Sequence, residues 1–269
     1  MIEQGPIRVL VFGASGRLGR SIIELLGSSR SADEPGGLLF TRGLGRQDQL
    51  NEPEQLRALE RAEVVIDVSL PSGTSALLEV LSALKSPPAL VCGVTGLNVE
   101  TRAALDRYAA RAPCLYARNF SLGVALLSHL VSVSARVLGP AYDVELFELH
   151  HRQKIDAPSG TALHLAELIA EVKGGSVTGE ATASPRDSAE VHLSAGRGGQ
   201  VIGEHTVYFL GGAERLELTH RARDRGLFAE GALRAARWLA EPGRETRAQA
   251  YEMSDLIEEL TRASLGASG

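Results

Sequence analysis

Over the first 120 residues, short unbroken apolar runs alternate with longer stretches in which apolar side chains recur every three or four positions. The runs are Ile7 to Phe12, Leu38 to Phe40, Val64 to Val68, Ala89 to Cys92 and Cys114 to Tyr116. Between them the helical period is carried by Ile22, Ile23, Leu25 and Leu26, by Leu56, Leu59 and Ala62 behind Pro53, by Ala76, Leu77, Val80, Leu81 and Leu84, and by residues 99–111. The loop Ser69-Leu70-Pro71-Ser72-Gly73 closes the third run. An unbroken β-prone run is the mark of a strand buried on both faces, and such strands alternating with helices predict a Rossmann-type, doubly wound parallel sheet.

Past residue 120 the pattern changes. A helix over 122–138 is followed by strands at Val144–Leu149, Val191–Ser194, Val201–Leu210 and Glu214–His220, with one helix, 159–172, among them. Strands in succession predict an antiparallel or mixed sheet, hence a second, α+β domain over 121–230. Residues 174–187 have no period and predict a mobile loop; Phe228–Leu239 and Met253–Leu260 return to helix. The richest apolar run, Leu122 to Val133, is interrupted by Ser128, His129 and Ser132, which predicts no membrane-spanning helix, and Glu3 argues against a signal or anchor.

Composition narrows the function. At 269 residues with 44% apolar and 23% charged, the chain suits one large or two modest globular domains. A formal charge of −5 offers no basic field for a phosphate backbone, so no nucleic-acid partner is expected. Cys92 and Cys114, without a CxxC motif, read as small buried strand residues in a reducing, cytoplasmic protein. Glycine is abundant, at 29 residues, which implies tight turns or close backbone approach to a ligand.

Two stretches carry candidate chemistry. Gly13-Ala14-Ser15-Gly16-Arg17-Leu18-Gly19 joins a predicted strand to a predicted helix. There glycines let the backbone turn close to a dinucleotide pyrophosphate, and the helix start favours its charge; a merely structural turn is the plainer alternative. Where the second strand ends, Phe40-Thr41-Arg42-Gly43 holds no carboxylate for a ribose 2′-hydroxyl, while Arg42, with Arg46 nearby, suits a 2′-phosphate. NADPH is therefore expected to be preferred and NADH tolerated; a solvated surface arginine is the alternative.

The second stretch is Glu148-Leu149-His150-His151-Arg152-Gln153-Lys154-Ile155-Asp156-Ala157-Pro158-Ser159-Gly160-Thr161-Ala162-Leu163. Pro158 suits a first helical turn, and Ser159-Gly160-Thr161 offers N–H and hydroxyl donors to a carboxylate at a helix start. His150, His151, Arg152 and Lys154 add four cationic or proton-handling groups, an arrangement that would grip an acidic substrate and deliver a proton. No metal is expected, since no third ligand stands at a recognisable spacing.

The stretch H-H-x-x-K-x-D-A-P-S-G-T-A resembles that of the dihydrodipicolinate reductases, also called 4-hydroxy-tetrahydrodipicolinate reductases, of lysine and diaminopimelate biosynthesis. The likeness extends to Gly13–Gly19, Gly93–Gly96, Ala117–Val124, Arg197–Thr206, Glu214–His220 and Phe228–Ala232. It implies NAD(P)H-dependent reduction of 4-hydroxy-tetrahydrodipicolinate, a small dicarboxylate, to tetrahydrodipicolinate. It implies that Gly13, Ala14, Ser15, Gly16, Arg17 and Leu18 hold the pyrophosphate, with Thr41 and Arg42 at the adenosine end. Gly93, Val94, Thr95, Ala117, Arg118, Asn119 and Phe120 would line the nicotinamide side. His150 would transfer a proton, Lys154, its pKa depressed by neighbouring cations, would donate one, and His151, Ser159, Gly160 and Thr161 would bind substrate carboxylate.

A homotetramer built through the second domain's sheet is implied as well, as is a C-terminal segment, 231–269, that rejoins residues 1–120; catalysis is expected to need the domains to close over the substrate, with hinges near Asn119–Gly123 and Arg225–Gly231. Three departures from the family pattern stand out: Thr41 in place of an acidic residue, Asp67-Val68-Ser69-Leu70-Pro71 in place of D-F-T-x-P, and a short polar segment from Gly27 to Asn51. The rival readings are another Rossmann oxidoreductase acting on a small carboxylic acid, and a regulator that senses NADPH without catalysis.

Overall fold

A computed structural model describes residues 5–28, 37–179, 187–241 and 246–266. In chain order the elements begin with β1 (Ile7–Phe12), α1 (Arg17–Ser28), β2 (Leu38–Leu44), α2 (Pro53–Arg61), β3 (Val64–Asp67), α3 (Pro71–Ala83), β4 (Ala89–Cys92), α4 (Val99–Ala109) and β5 (Cys114–Tyr116). There follow α5 (Leu122–Leu138), β6 (Asp143–His150), α6 (Gly160–Lys173), β7 (Val177–Thr178), β8 (Val191–Arg197), β9 (Gly203–Leu210) and β10 (Arg215–Ala222). The chain closes with α7 (Gly226–Ala240), β11 (Ala250–Tyr251) and α8 (Met253–Gly266). It divides into two compact units, Met1–Phe120 with Gly226–Gly269, and Ser121–Arg225. The boundary expected at residue 230 thus falls inside α7.

The first unit is built on a six-stranded sheet in the order β11-β5-β4-β3-β1-β2, parallel throughout. β3 and β4 are buried along their whole length and β1 at every position but Arg8, as their apolar runs require. Leu10, Phe12, Val65, Leu90 and Cys92 join Leu59, Leu77, Leu81, Leu105 and Tyr108 of α2, α3 and α4 in one core. α7 packs against α1, β3 and β4 through the fully buried Ala229, Ala232, Ala235 and Ala236, small side chains that admit close approach. Both cysteines are buried in strands.

Several boundaries differ from expectation for local reasons. β2 continues past Phe40 to Leu44 because the ladder skips one residue: Val9 pairs with Phe40 and Leu10 with Arg42, leaving Thr41 as a bulge. The Thr41 hydroxyl donates to Val9 O at 3.0 Å and closes the gap. Thr41 and Arg42 therefore lie within the strand rather than beyond it. α3 starts at Pro71, whose missing N–H costs nothing at a first helical position, so the loop after β3 is shorter than anticipated. Two-residue β11 is too short to leave a period in the sequence. Within the stretch read as a mobile loop, Val177–Thr178 forms β7 beside β8; residues 180–186 of it lie outside the described residues.

The second unit's sheet runs β10-β9-β6-β8-β7, with β9 antiparallel to β6 and β10, and β6, β8 and β7 mutually parallel. On one face Val144, Leu146, Val191, Leu193, Val207 and Phe209 pack under Leu127 and Val131 of α5 and Leu165 and Ile169 of α6. The opposite face carries Phe147, Thr206 and Thr219 in one cross-strand row, and α5 and α6 both pack on the other side. Leu122–Ala141 passes for a membrane-crossing helix by length and composition alone, with a mean hydropathy of 1.6 over 18 of its residues. Leu127, Val131 and Ala135 nevertheless place one side of this helix in the unit's core.

Candidate active site

In the first unit, the loops after β1, β4 and β5 leave the same edge of the parallel sheet. Gly13 takes φ +93°, and a side chain there would bring its Cβ within 2.7 Å of Val68 and Ser69 backbone atoms. Gly19 is packed so tightly that a Cβ would meet Gly13 O at 2.2 Å, which seats α1 on β1. The N–H groups of Gly13 and Ala14 both donate to Leu44 O, so the loop is bound to β2, and Ser15, Gly16 and Arg17 are its exposed part. The first turn of α1 carries no carboxylate, whereas those of α2, α4 and α8 carry Glu54, Glu100 and Asp255. The positive end of the α1 dipole thus lacks an acidic side chain of its own, and the donor set suits a dinucleotide pyrophosphate.

Arg42 pairs with Glu54 at 2.9 Å and is partly exposed. Gly43 lies against Ala14, its Cβ position 2.9 Å from the Ala14 Cβ, so Arg42 stands beside the glycine loop. Gly93 to Thr95 and Ala117 to Phe120 follow neighbouring strands; Gly93 N donates to Asp67 O and Ala117 N to Cys92 O. Phe120 is buried, and its ring rests on Gly93, where a Cβ would be 2.3 Å from the Phe120 Cε2. Val94 and Ala117 are buried too, which leaves Thr95 and Arg118 as the exposed members of this group. Asp67, fully buried, accepts from Thr74 Oγ1 at 2.7 Å and Ser69 N at 3.0 Å; burial pushes its pKa up.

In the second unit, the alternation along β6 places Val144, Leu146, Glu148 and His150 on the inner face. The apolar half of that face ends at Leu146, and a polar half begins. Glu148 is completely buried. Its Oε2 meets His150 Nδ1, while Oε1 accepts from Arg197 Nη2 of β8 at 2.8 Å and from Ser159 N at 3.1 Å. Arg197 Nη2 also donates to Asp156 O at 2.6 Å. His205, opposite Glu148 on β9, stands edge-on to His150 with ring centroids 5.3 Å apart, and its Nε2 lies 3.4 Å from Ser159 Oγ. Across the next strand His220 reaches Ser121 Oγ at 3.3 Å. Ser121 and Ser159 are the caps of α5 and α6, accepting from Val124 N and Ala162 N, so a histidine buttresses the start of each helix.

Burial holds His150, His205 and His220 below the ordinary histidine pKa, His205 lowered to about 4. At His150 the Glu148 carboxylate opposes that effect while Lys154 reinforces it. The Lys154 ammonium is not surrounded by cations alone, as the sequence suggested. Asp156 grips it with both carboxylate oxygens, at 2.8 and 2.7 Å, and the lysine in turn holds the Asp156 pKa down. Pro158 precedes the cap rather than occupying the first turn of α6. That turn holds Gly160 and Thr161 and, like that of α1, no carboxylate.

Glu148 thus links His150 to the Ser159 cap of α6, whose first turn holds Gly160 and Thr161, while Lys154 is held by Asp156 in the loop between them. Sequence reasoning missed Glu148, Arg197 and His205 as parts of the same group, although Glu148 opens the motif and Arg197 and His205 fall in a stretch noted for its likeness. The donor atoms of Glu148, His150 and His205 lie within 4.8 Å of one another, near enough to hold a cation; the Arg197 guanidinium supplies positive charge to that carboxylate instead.

Residues 7–120 match the family model described as dihydrodipicolinate reductase, N-terminus, and residues 123–257 the one described as dihydrodipicolinate reductase, C-terminus. The 4-hydroxy-tetrahydrodipicolinate reductase of Alkalilimnicola ehrlichii is 39% identical over 270 residues, covering 93% of this chain and 98% of that protein. That of Thiobacillus denitrificans is 37% identical with the same coverage. Among solved structures, a dipicolinate-bound dihydrodipicolinate reductase from Paenisporosarcina sp. TG-14 has the same fold, with a TM-score of 0.70 at 22% identity over 91% of this chain and 97% of that one.

Proposed function

Because the chain belongs to the dihydrodipicolinate reductase family, we propose that its histidine and lysine cluster works as the substrate end of a 4-hydroxy-tetrahydrodipicolinate reductase. The protein is an NAD(P)H-dependent oxidoreductase of lysine and diaminopimelate biosynthesis. The observation that carries the reading is the convergence of His150, Lys154 and the Ser159–Thr161 helix start within one short segment.

The substrate is a small dicarboxylate, and dipicolinate is the natural probe for its site. His151 and the first-turn donors of α6 hold a carboxylate, aided by the helix dipole. An incoming carboxylate competes with Asp156 for the Lys154 ammonium. The nicotinamide, when bound, supplies the hydride. Lys154 then stabilises the negative charge that develops on the ring and donates a proton to it, and His150 relays protons within the site. Ser15, Gly16, Arg17 and Leu18 bind the pyrophosphate, and Arg42 favours NADPH over NADH by exchanging Glu54 for a 2′-phosphate.

We read the enzyme as a cytoplasmic homotetramer. Free thiols at Cys92 and Cys114 suit a reducing compartment, and the sheet face bearing Phe147, which is 43% exposed, suits a second copy. Light scattering should give four times the chain mass; a monomer would remove that part of the reading. The activity is tested by following NADPH oxidation with enzymatically generated 4-hydroxy-tetrahydrodipicolinate. Turnover supports the assignment, whereas tight NADPH binding without turnover would make the protein a regulator.

A further inference from the structure

We infer that Glu148 is a positioning residue of the reaction, whose single buried carboxylate fixes His150 and the start of α6 in one register. This rests on the reading of His150 as a proton-handling group, and it assigns a role to a side chain that touches neither substrate nor cofactor.

With no exposure at all, Glu148 persists as an anion only if its oxygens are matched by donors and positive charge. Oε1 is matched by Arg197 and by the backbone N–H of the α6 cap, and Oε2 by His150. These partners come from β8, from the segment before α6, and from the end of β6 itself. The carboxylate therefore ties the proton-handling half of the segment to its anion-binding half, ten residues apart in the chain by the numbering of His150 and Gly160. The main chain supports the same register, since Gly198 N donates to His150 O at 2.8 Å.

An ionised carboxylate accepts and never donates, so the ring nitrogen facing it carries a hydrogen. In the neutral imidazole this places the hydrogen on Nδ1 and the lone pair on Nε2. Gly203, across the sheet on β9, completes the arrangement. A side chain there would put its Cβ 2.9 Å from His150 Nε2, so glycine leaves room beside the nitrogen that must exchange protons. Glu148 thus sets the tautomer, and Gly203 keeps its working edge open.

The test uses the full-length protein labelled with ¹⁵N-histidine, with the His150 signals identified by their loss in His150→Gln. Neutral His150 should be the Nδ1–H tautomer in the wild type. In Glu148→Gln the amide can donate to Nδ1, and the ring should switch to Nε2–H, with kcat falling by about 10²-fold or more and KM for NADPH unchanged. Glu148→Asp, which retains the charge, should keep the Nδ1–H form and recover part of the rate. A wild-type Nε2–H ring, an unaltered tautomer in Glu148→Gln, or an unaltered kcat in that variant would each overturn the inference. Should Glu148→Gln fail to fold, the wild-type and Glu148→Asp spectra still decide. The tautomer is read without turnover, so an inactive role for His150, shown by a fully active His150→Gln, is distinguished from a failure of the positioning role.

Discussion

The starts of α1 and α6 do comparable work by opposite means. Both lack an acidic residue in the first turn, so neither helix sets a carboxylate of its own against the positive end of its dipole. At α1 the surface is made by backbone: Gly13 at positive φ, Gly19 against Gly13 O, and two loop N–H groups held by Leu44 O. At α6 it is made by side chains, with Glu148, Arg197, His205 and Ser159 drawn from β6, β8, β9 and the helix cap. A site built from local backbone depends on conformation and tolerates most side-chain changes around it. A site built from a buried polar network depends on every member, because an unpaired buried charge is costly.

The sharpest way to break the comparison is at the proton-handling end. His150→Ala should lower kcat by about 10² to 10⁴ while leaving the dissociation constant for NADPH unchanged in a fluorescence titration. Loss of nucleotide affinity would mean that the two regions are not separately built. Gly13→Ala should do the reverse. The strained φ and the 2.7 Å approach to Val68 and Ser69 should cost about 1–3 kcal/mol in a denaturation experiment and weaken NADPH binding by about tenfold or more, with dipicolinate binding preserved.

Acidification sharpens the contrast, since all seven histidines belong to the second unit and none to the unit that holds α1. Burial lowers His205 from 6.5 to about 4, so between those values the unfolded chain binds more protons than the folded one. The stability contribution is therefore complete above pH 6.5 and is lost as pH falls toward 4, with a slope of at most about 1.4 kcal/mol per pH unit from this group. His150 and His220 shift in the same direction. Thermal melting of wild type and His205→Gln across that range should show the shallower slope in the variant; identical slopes would remove His205 as a source. The smallest effect is expected at Arg42, which is partly exposed and already paired. Arg42→Ala should reduce kcat/KM for NADPH by about tenfold and leave that for NADH unchanged. A wild type that strongly prefers NADH would contradict the role given to this arginine.

The same contrast decides what could be read from sequence. The parallel sheet was legible because each of its main strands announces itself by an unbroken apolar run, and the glycine loop because strand, turn and helix are contiguous. The extension of β2 was not, since the Thr41 bulge depends on its pairing with Val9 and Leu10. At α6 the motif from His150 to Thr161 is a continuous segment and stood out. Glu148 did not, because its importance arises from the fold: only the pairing of β6 with β8 and β9 brings Arg197 and His205 to it. Nor could spacing show that Asp156 would hold Lys154, since two residues of an irregular loop have no fixed geometry.

The central claim is that the α6 region performs the chemistry while the α1 region only binds. It is tested most directly by measuring, on the same preparation of Lys154→Ala, steady-state NADPH oxidation with 4-hydroxy-tetrahydrodipicolinate and the equilibrium affinity for NADPH. The account predicts that kcat falls by about 10²-fold or more with NADPH affinity unchanged. Near-normal turnover in that variant, or a parallel loss of nucleotide binding, would contradict it.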